Sequence, residues 1–332
     1  MKAMVIDKYG KLPLRLAEMP QPVIGDHDVL AEIHAASINP IDFKLKDGGL
    51  KMLLKYDMPL IMGNDFSGVV AKVGAKVTQF KEGDEIYGRP RKSRIGTFAE
   101  YISIDENDIA LKPKNLDFEQ AASIPLVGLT SYQALHDILQ LQKEQKVLIQ
   151  AGAGGVGTFA IQLAKTFDVY VATTTRGSGA DLVKSLGADK VINVSDEKFE
   201  EALQDYDAVF DTLGGETLEK SFQVIKSGGK IVSVSGLPNA RFAKEYGLGV
   251  IKRSLFSIAS RKITALEKQH NVCYTFLFMK PSGDQLRIIA ELIEAGKIKP
   301  VIDRIFPFED AQKAMEYSEA GKAKGKLIMK IK

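Results

Sequence analysis

The chain has little cysteine, little histidine and no excess of either charge, and each shortage closes off a class of function. Cys273 is the single cysteine in 332 residues, which excludes an internal disulfide and a cysteine-rich metal site. The four histidines, His27, His34, His136 and His270, stand apart in sequence and share no metal-ligand spacing. Lys and Arg number 45 against 42 Asp and Glu, a net charge of +3, so nothing global attracts nucleic acid or an acidic membrane surface. No apolar run reaches the roughly 18 residues of a membrane span, and no repeat or low-complexity tract is present. Residues 1–10 are strand-like and carry Asp7 instead of a long apolar core, so no secretory leader is expected and a cytoplasmic location is. The basic run Arg89-Pro-Arg-Lys-Ser-Arg94 is short and lacks interleaved aromatics; it reads as a solvated loop, not a nucleic-acid site. No Ser–His–Asp or paired-carboxylate pattern suggests hydrolysis.

What is present is an ordinary globular composition, 45% apolar and 26% charged, in a chain long enough for two cores. Up to about residue 120 the chain reads as mostly β. Short apolar runs at 3–6, 29–35, 69–73, 85–87 and 98–104 are separated by Gly, Pro, Asn and Asp, the pattern of a small barrel or sandwich. One helix is expected after Asn39-Pro40, because Asn caps well and Pro suits the first helical position. Beyond about residue 115 the pattern turns helical at 118–122 and 131–139, then alternates strand and helix as a doubly wound sheet does. Its strands fall at 147–151, 169–174, 191–194, 208–211, 231–235 and 274–279, with helices centred on 157–167, 182–186 and 216–226. A strong helix at 284–294 and a last strand at 326–331, expected to return to the first domain, complete the chain.

The first strand of that alternation breaks into Ala151-Gly-Ala-Gly-Gly-Val-Gly157 and restarts with helical spacing at Val156, Phe159, Ala160, Leu163 and Ala164. Gly152, Gly154 and Gly157 fit G-x-G-x-x-G: a tight turn, a close approach to a pyrophosphate, and close helix–strand packing. The backbone at Gly154, Gly155 and Val156 is expected to meet that pyrophosphate at the positive end of the helix. After the second strand an NAD site would offer an acidic residue to the ribose; this chain has Thr173, Thr174, Thr175, Arg176, Gly177 and Ser178. Hydroxyls and a guanidinium suit a 2′-phosphate, so Thr174, Thr175 and Arg176 are its expected partners and NADPH the expected cofactor. The plainer reading of Arg176 is a solvated loop residue.

Five stretches carry a wider likeness: Ala36-Ser-Ile-Asn-Pro-Ile-Asp42, Gly63-Asn-Asp-Phe-Ser-Gly-Val-Val70, Gly128-Leu-Thr-Ser-Tyr132, Gln150-Ala-Gly-Ala-Gly-Gly-Val-Gly157 and Gly296-Lys-Ile-Lys-Pro300. In these, and over essentially its whole length, the chain resembles the medium-chain dehydrogenase/reductase superfamily, in its zinc-free quinone oxidoreductase branch. The run from Asn39 to Lys44 and Leu277-Phe-Met279 look most like the NADPH-dependent quinone, enone and alkenal reductases. The resemblance implies a Rossmann doubly wound parallel sheet, residues 122–281, inserted into a GroES-like β-barrel catalytic domain, residues 1–121 completed by 282–332. It implies a substrate cleft between the two and a homodimer paired through the edge strand at 274–279. Where alcohol dehydrogenases of the superfamily hold catalytic zinc with Cys and His, alignment by motif gives Asn39, Asn64 and Leu126, and the structural-zinc cysteines are missing too. Without that Lewis acid the acceptor must already be electrophilic: a quinone or an α,β-unsaturated carbonyl.

The resemblance also places individual residues. Asn39 and Asp42 would lie beside nicotinamide and acceptor, although a helix cap with an acidic first turn accounts for the same pair. Lys44 would offer a cation to a developing enolate or quinol oxygen, or is a solvated helix lysine. Asn64 would stand near the acceptor, or in an ordinary turn. Thr130 resembles a residue bonding near the nicotinamide ribose, against a plain N-cap role before 132–139. Ser235, Gly236 and Leu237, with Phe278 and Met279, resemble the segments that hold the carboxamide, and Val194 stands where relatives often have a tyrosine. Tyr56 either faces an acceptor ring or is a loop aromatic. The expected activity is NADPH-dependent quinone reduction. The alternatives are alkenal or enone C=C reduction, and an NADPH-binding sensor or structural protein without turnover.

Overall fold

In the computed structural model, which describes residues 1–332, the short apolar runs near the start of the chain pair into two sheets. The strands are β1 (Lys2–Ile6), β2 (Arg15–Glu18), β3 (Asp28–Ile38), β4 (Leu60–Ile61), β5 (Phe66–Val73), β6 (Glu85–Gly88), β7 (Tyr101–Asp105) and β8 (Ile109–Leu111). β1 lies antiparallel between β2 and β4. The long β3 pairs antiparallel with both β5 and β7, and β6 and β8 extend the sheet beyond β5. Alternation along β3 turns Val29, Ala31 and Ile33 into one core with Phe66, Ile86 and Ile104. Helix α1 (Pro40–Lys46) starts directly after β3, at Asn39-Pro40 as expected, and α2 (Phe118–Ala122) is closed by a capping box of Asp117 and Gln120.

Helix α3 (Pro125–Tyr132) begins earlier than the expected 131–139, because Pro125 opens it, and continues to 138 as a wider π-helical segment. Thr130 is therefore inside a helix and is not its N-cap. Strand and helix then alternate: β9 (Lys146–Ile149), α4 (Gly155–Lys165), β10 (Tyr170–Thr175), α5 (Ala180–Ser185), β11 (Lys190–Asn193), α6 (Phe199–Ala202), β12 (Tyr206–Asp211), α7 (Gly215–Val224) and β13 (Ile225–Ser233). Where the sequence suggested a direct passage to the last strand, the structure inserts α8 (Ala240–Glu245), α9 (Val250–Ala259) and α10 (Arg261–His270) before β14 (Cys273–Phe276). The apolar positions of α9 include Val250, Ile251 and Ile258, all exposed, and the helix buries no residue, so its pattern gave no core signal. The sheet order is β11-β10-β9-β12-β13-β14 with every pairing parallel, a doubly wound dinucleotide-binding sheet. Val147, Leu148 and Ile149 of its central strand are fully buried, as a strand covered on both faces requires.

The chain closes with α11 (Gly283–Glu294), β15 (Ile302–Pro307), α12 (Ala311–Glu319) and β16 (Lys326–Lys330). β16 runs antiparallel to β3, with Leu327 opposite Ile38 and Met329 opposite Ala36, so the last strand returns to the first sheet and carries Lys326 to the end of β3. By contacts the chain divides into Met1–Leu129 with Lys280–Lys332, and Thr130–Met279, in place of the expected boundaries at 121/122 and 281/282. No helix is long and apolar enough to cross a membrane.

Candidate active site

The glycine turn of the second unit joins β9 to α4. A Cβ on Gly152 would lie 2.1 Å from Thr173 Oγ1, and one on Gly157 would lie 2.4 Å from Ala151 O and 2.5 Å from Gly152 Cα. Those two glycines are required by packing within the turn itself. Gly154 is different: a Cβ there would meet only Ala151 O, at 3.4 Å, so this position opens outward where another molecule can approach. Gly154 is the N-cap of α4, and Gly155, Val156 and Gly157 form its first turn, whose N–H groups have no partner inside the helix. A phosphate fits such an end through those donors and the helix dipole.

Parallel pairing brings the C-terminal ends of β9, β10, β12 and β13 to the same edge of the sheet as this turn. The three residues expected to hold a 2′-phosphate there are not equivalent. The Thr174 hydroxyl is engaged internally, donating to Gln150 Oε1 at 2.6 Å and accepting from the Ala151 N–H at 3.0 Å, so it is not presented to a ligand. Thr175 Oγ1 is buried and has no hydrogen-bond partner. Arg176 follows with extended backbone and is exposed. Val194 is bonded beside them, its N–H donating to Thr175 O. At the end of β13, the Ser233 hydroxyl donates to Asp211 Oδ2 at 2.5 Å and accepts from the N–H groups of Ser235 and Gly236. Leu237 is exposed and its carbonyl accepts from the Tyr274 hydroxyl at 3.0 Å. Phe278 lies in an aromatic group with Tyr246 and Phe276, Met279 is buried, and Thr130 is buried within α3.

In the first unit, Asn39, Asp42 and Asn64 are brought together, fully or almost fully buried. Asp42 Oδ2 accepts from the Asn39 N–H at 2.7 Å, which closes the start of α1, and Asp42 Oδ1 accepts from Asn64 Nδ2 at 2.6 Å. The Asn39 side chain reaches beyond its capping position: Nδ2 donates to Asp65 Oδ1 at 2.9 Å and Oδ1 accepts from Lys326 Nζ at 2.5 Å. Ser37 donates to the same Asp65 oxygen, and the Leu126 N–H donates to the other. Arg89 completes the group, donating from Nη2 to Asn64 Oδ1 at 3.2 Å. Two carboxylates and two cations are thus sealed in one network. Burial pushes the Asp42 carboxyl up to about 7, against its hydrogen bonds from Asn64 and Asn39. It raises Asp65 as well, and it lowers Lys326 and Arg89 against the attraction of nearby opposite charges. Lys44, by contrast, is exposed on α1 and takes no part in this network.

The arginine loop corrects the sequence reading. Arg89 is 1% exposed, not solvated. Gly88 before it pairs with Ile109 of β8, where a Cβ would lie 2.5 Å from Ile109 Cγ2. Arg91 forks onto Asp108 and Arg94 onto Asp28, so they are structural ion pairs. Burial, with the charges of Arg89 and Lys280, brings the Lys92 amine down to about 6. Sequence spacing missed Arg89, Ser37, Asp65 and Lys326. Ser37 and Asp65 carried a signal, as members of the stretches around Asn39 and Asn64, and Arg89 and Lys326 carried none.

Two family models match: "Alcohol dehydrogenase GroES-like domain" over residues 25–114 and "Zinc-binding dehydrogenase" over residues 186–329. The "NAD(P)H oxidoreductase RTN4IP1, mitochondrial" of Danio rerio is 34% identical over 356 residues, covering 100% of this chain and 91% of its own. The chain belongs to the medium-chain dehydrogenase/reductase superfamily. Its place is the quinone-oxidoreductase-like branch, and it is an oxidoreductase. The "NADPH-dependent alkenal/one oxidoreductase, chloroplastic" of Arabidopsis thaliana is 35% identical, covering 99% of this chain and 79% of its own. The structure of the quinone oxidoreductase from Coxiella burnetii superposes with a TM-score of 0.85 at 34% identity, covering 100% of this chain and 99% of that one.

Zinc chemistry in this superfamily can be tested on the residues themselves. The Asn39 and Asn64 side-chain oxygens already accept from Lys326 and Arg89, and Leu126 has only a hydrocarbon side chain. Two buried cations and no thiolate or imidazole make a poor zinc site, and no group of three His, Cys, Asp or Glu side chains could hold a metal ion. The residues present do not fit zinc.

Proposed function

We propose that this oxidoreductase uses NADPH to reduce a quinone without zinc. The observation that carries the reading is the pair of cations, Lys326 and Arg89, bonded to Asn39 and Asn64, the two asparagines that motif likeness sets where zinc-dependent relatives would have metal ligands. NADPH would be held by the glycine turn and the first turn of α4, with Thr175 and Arg176 at the 2′-phosphate. When bound, it supplies a hydride. The acceptor must then take negative charge on oxygen, which would suit the cationic groups Arg89 and Lys280 that lie near Lys92. One proton per turnover is needed in addition to the hydride, since a quinone, NADPH and H+ give a hydroquinone and NADP+. Enone reduction is the second reading, favoured by the 35% identity to an alkenal/one oxidoreductase. There the hydride goes to the β-carbon and the proton to the α-carbon. We further propose a homodimer, because β14 ends the sheet order with an edge that no strand of this chain covers.

The deciding measurement is NADPH consumption with a fused-ring quinone and, separately, a simple enone, with NADH as control. Faster turnover of the quinone supports the first reading, and turnover of the enone alone replaces it with the second. Binding of NADPH without consumption by either acceptor would leave a sensor or structural protein.

A further inference from the structure

We propose that Arg89 is a positioning residue for the acceptor side of the site, acting through Asn64, which it fixes against Asp42 at the end of a buried relay. The proposal rests on the reading of Asn39, Asp42 and Asn64 as acceptor-side groups.

Three features separate Arg89 from an ordinary structural arginine. It is 1% exposed, yet it forms no direct ion pair: it donates to the Pro90 carbonyl, 2.8 Å from Nη1, and to Asn64 Oδ1. Its Nε is buried without any partner. Its loop neighbours Arg91 and Arg94 each meet a carboxylate directly. A guanidinium buried in this way does little for stability, since an apolar side chain of similar size would avoid the desolvation cost. Its position explains it better. An asparagine amide can point either way, and a donor on Oδ1 decides which. By donating to Asn64 Oδ1, Arg89 turns Nδ2 toward Asp42, and Asp42 in turn accepts from the Asn39 N–H. The Asn64 amide, itself fully buried, is thereby held in one orientation at the end of the relay. Lys326 holds the Asn39 amide in the same manner from β16. The charged groups facing Asp42 across these elements are Asp65, Lys326 and Arg89.

The test compares the wild type with Arg89→Met, Arg89→Lys, Asn64→Ala and the Arg89→Met/Asn64→Ala pair. Arg89→Met should remain folded and keep its NADPH affinity within about twofold, while kcat/KM for the acceptor falls about tenfold or more. The double variant should lose little beyond the larger single loss, since the two residues act as one unit. Arg89→Lys keeps a charge without the fork and should recover only part of the loss. Additive losses, or unchanged acceptor kcat/KM in a folded variant, overturn the proposal. If Arg89→Met does not fold, Arg89→Lys decides by the same criterion. Isotope-edited infrared titration of the Asp42 carboxylate, with Asp42→Asn as blank, gives a readout independent of turnover. Its midpoint should move upward when Arg89 is neutralised, and an unmoved midpoint overturns the positioning role. Failure of the wild type to reduce any acceptor sinks the proposed function alone, because the infrared result still judges Arg89.

Discussion

In the parallel-sheet unit the candidate cofactor turn is made of backbone, whereas in the first unit the candidate acceptor group is made of side chains drawn from β3, α1, the turn before β5, the loop after β6 and β16. The turn works through Gly152 and Gly157, which leave no room for a Cβ, through Gly154, whose backbone lies open, and through N–H groups at one helix end. The buried network works through amides, carboxylates and cations that orient one another. The first kind of site fails when any atom is added to it. The second fails when one member stops holding the next.

The largest effect is expected at Gly157. A valine there must displace the backbone of Ala151 and Gly152, because its Cβ would lie 2.4 to 2.7 Å from their atoms. We expect a stability loss of about 3 kcal/mol or more, read from denaturant unfolding, together with loss of NADPH binding. Gly154→Ala should instead fold normally and lose affinity alone, since its Cβ meets only Ala151 O at 3.4 Å. Equal stability losses in both variants would erase the distinction between a packing glycine and an approach glycine.

Next in size is Asp42→Asn, which puts an amide where two donors converge. Acceptor turnover should fall by about 10- to 100-fold with NADPH affinity retained. The pH dependence follows from burial. Burial holds the folded carboxyl at about 7, well above the ordinary aspartate value of 3.8, so the native state keeps an extra proton between those values. Its contribution to stability is therefore greatest below about pH 4 and is lost as pH rises through 7. Thermal midpoints from pH 4 to 8 should show the wild type declining relative to Asp42→Asn over that window. Parallel curves would mean that burial is not setting this carboxyl.

These two sites also differ in how far the sequence exposes them. Gly152, Gly154 and Gly157 lie within one short turn, and the change of hydrophobic period on either side marks strand and helix directly. Asn39, Asp42 and Asn64 could be marked only by likeness to a superfamily. Their partners Arg89 and Lys326 come from distant points of the chain that only β-pairing unites, β16 lying against β3. Arg89 was hidden further by its company, since a run of arginines and lysine reads as solvated although this one member is buried. The helix α9 escaped because it buries no residue, so its periodicity says nothing about a core.

A smaller effect tests whether side chains add selectivity to the backbone-built turn. Arg176 is exposed at the end of β10, and Thr174 is engaged with Gln150 and Ala151, which leaves Arg176 and Thr175 to distinguish the two cofactors. Arg176→Ala should weaken NADPH about tenfold, or roughly 1.4 kcal/mol, and leave NADH nearly unchanged. Fluorescence titration with both cofactors measures this. A loss shared equally by the two would remove the 2′-phosphate assignment.

The smallest effect is expected three turns of sequence logic away from the network yet in the same arginine loop. Arg94 forks onto both oxygens of Asp28, at 2.8 and 2.7 Å, and Ser103 and the Gly25 N–H add further bonds. The Arg94 hydrogen bond leads in holding the Asp28 carboxyl down to about 2. Because the folded value lies below the unfolded one, this stabilisation is present above about pH 4 and is lost as pH falls through 2. Arg94 is partly exposed, so screening reduces the benefit, and Arg94→Met should cost about 1 kcal/mol at neutral pH, with the difference closing in acid. Acceptor turnover should not change. If it fell as far as in Arg89→Met, the loop would act as a whole, and the contrast between a buried arginine that positions and a neighbouring one that only braces would be lost.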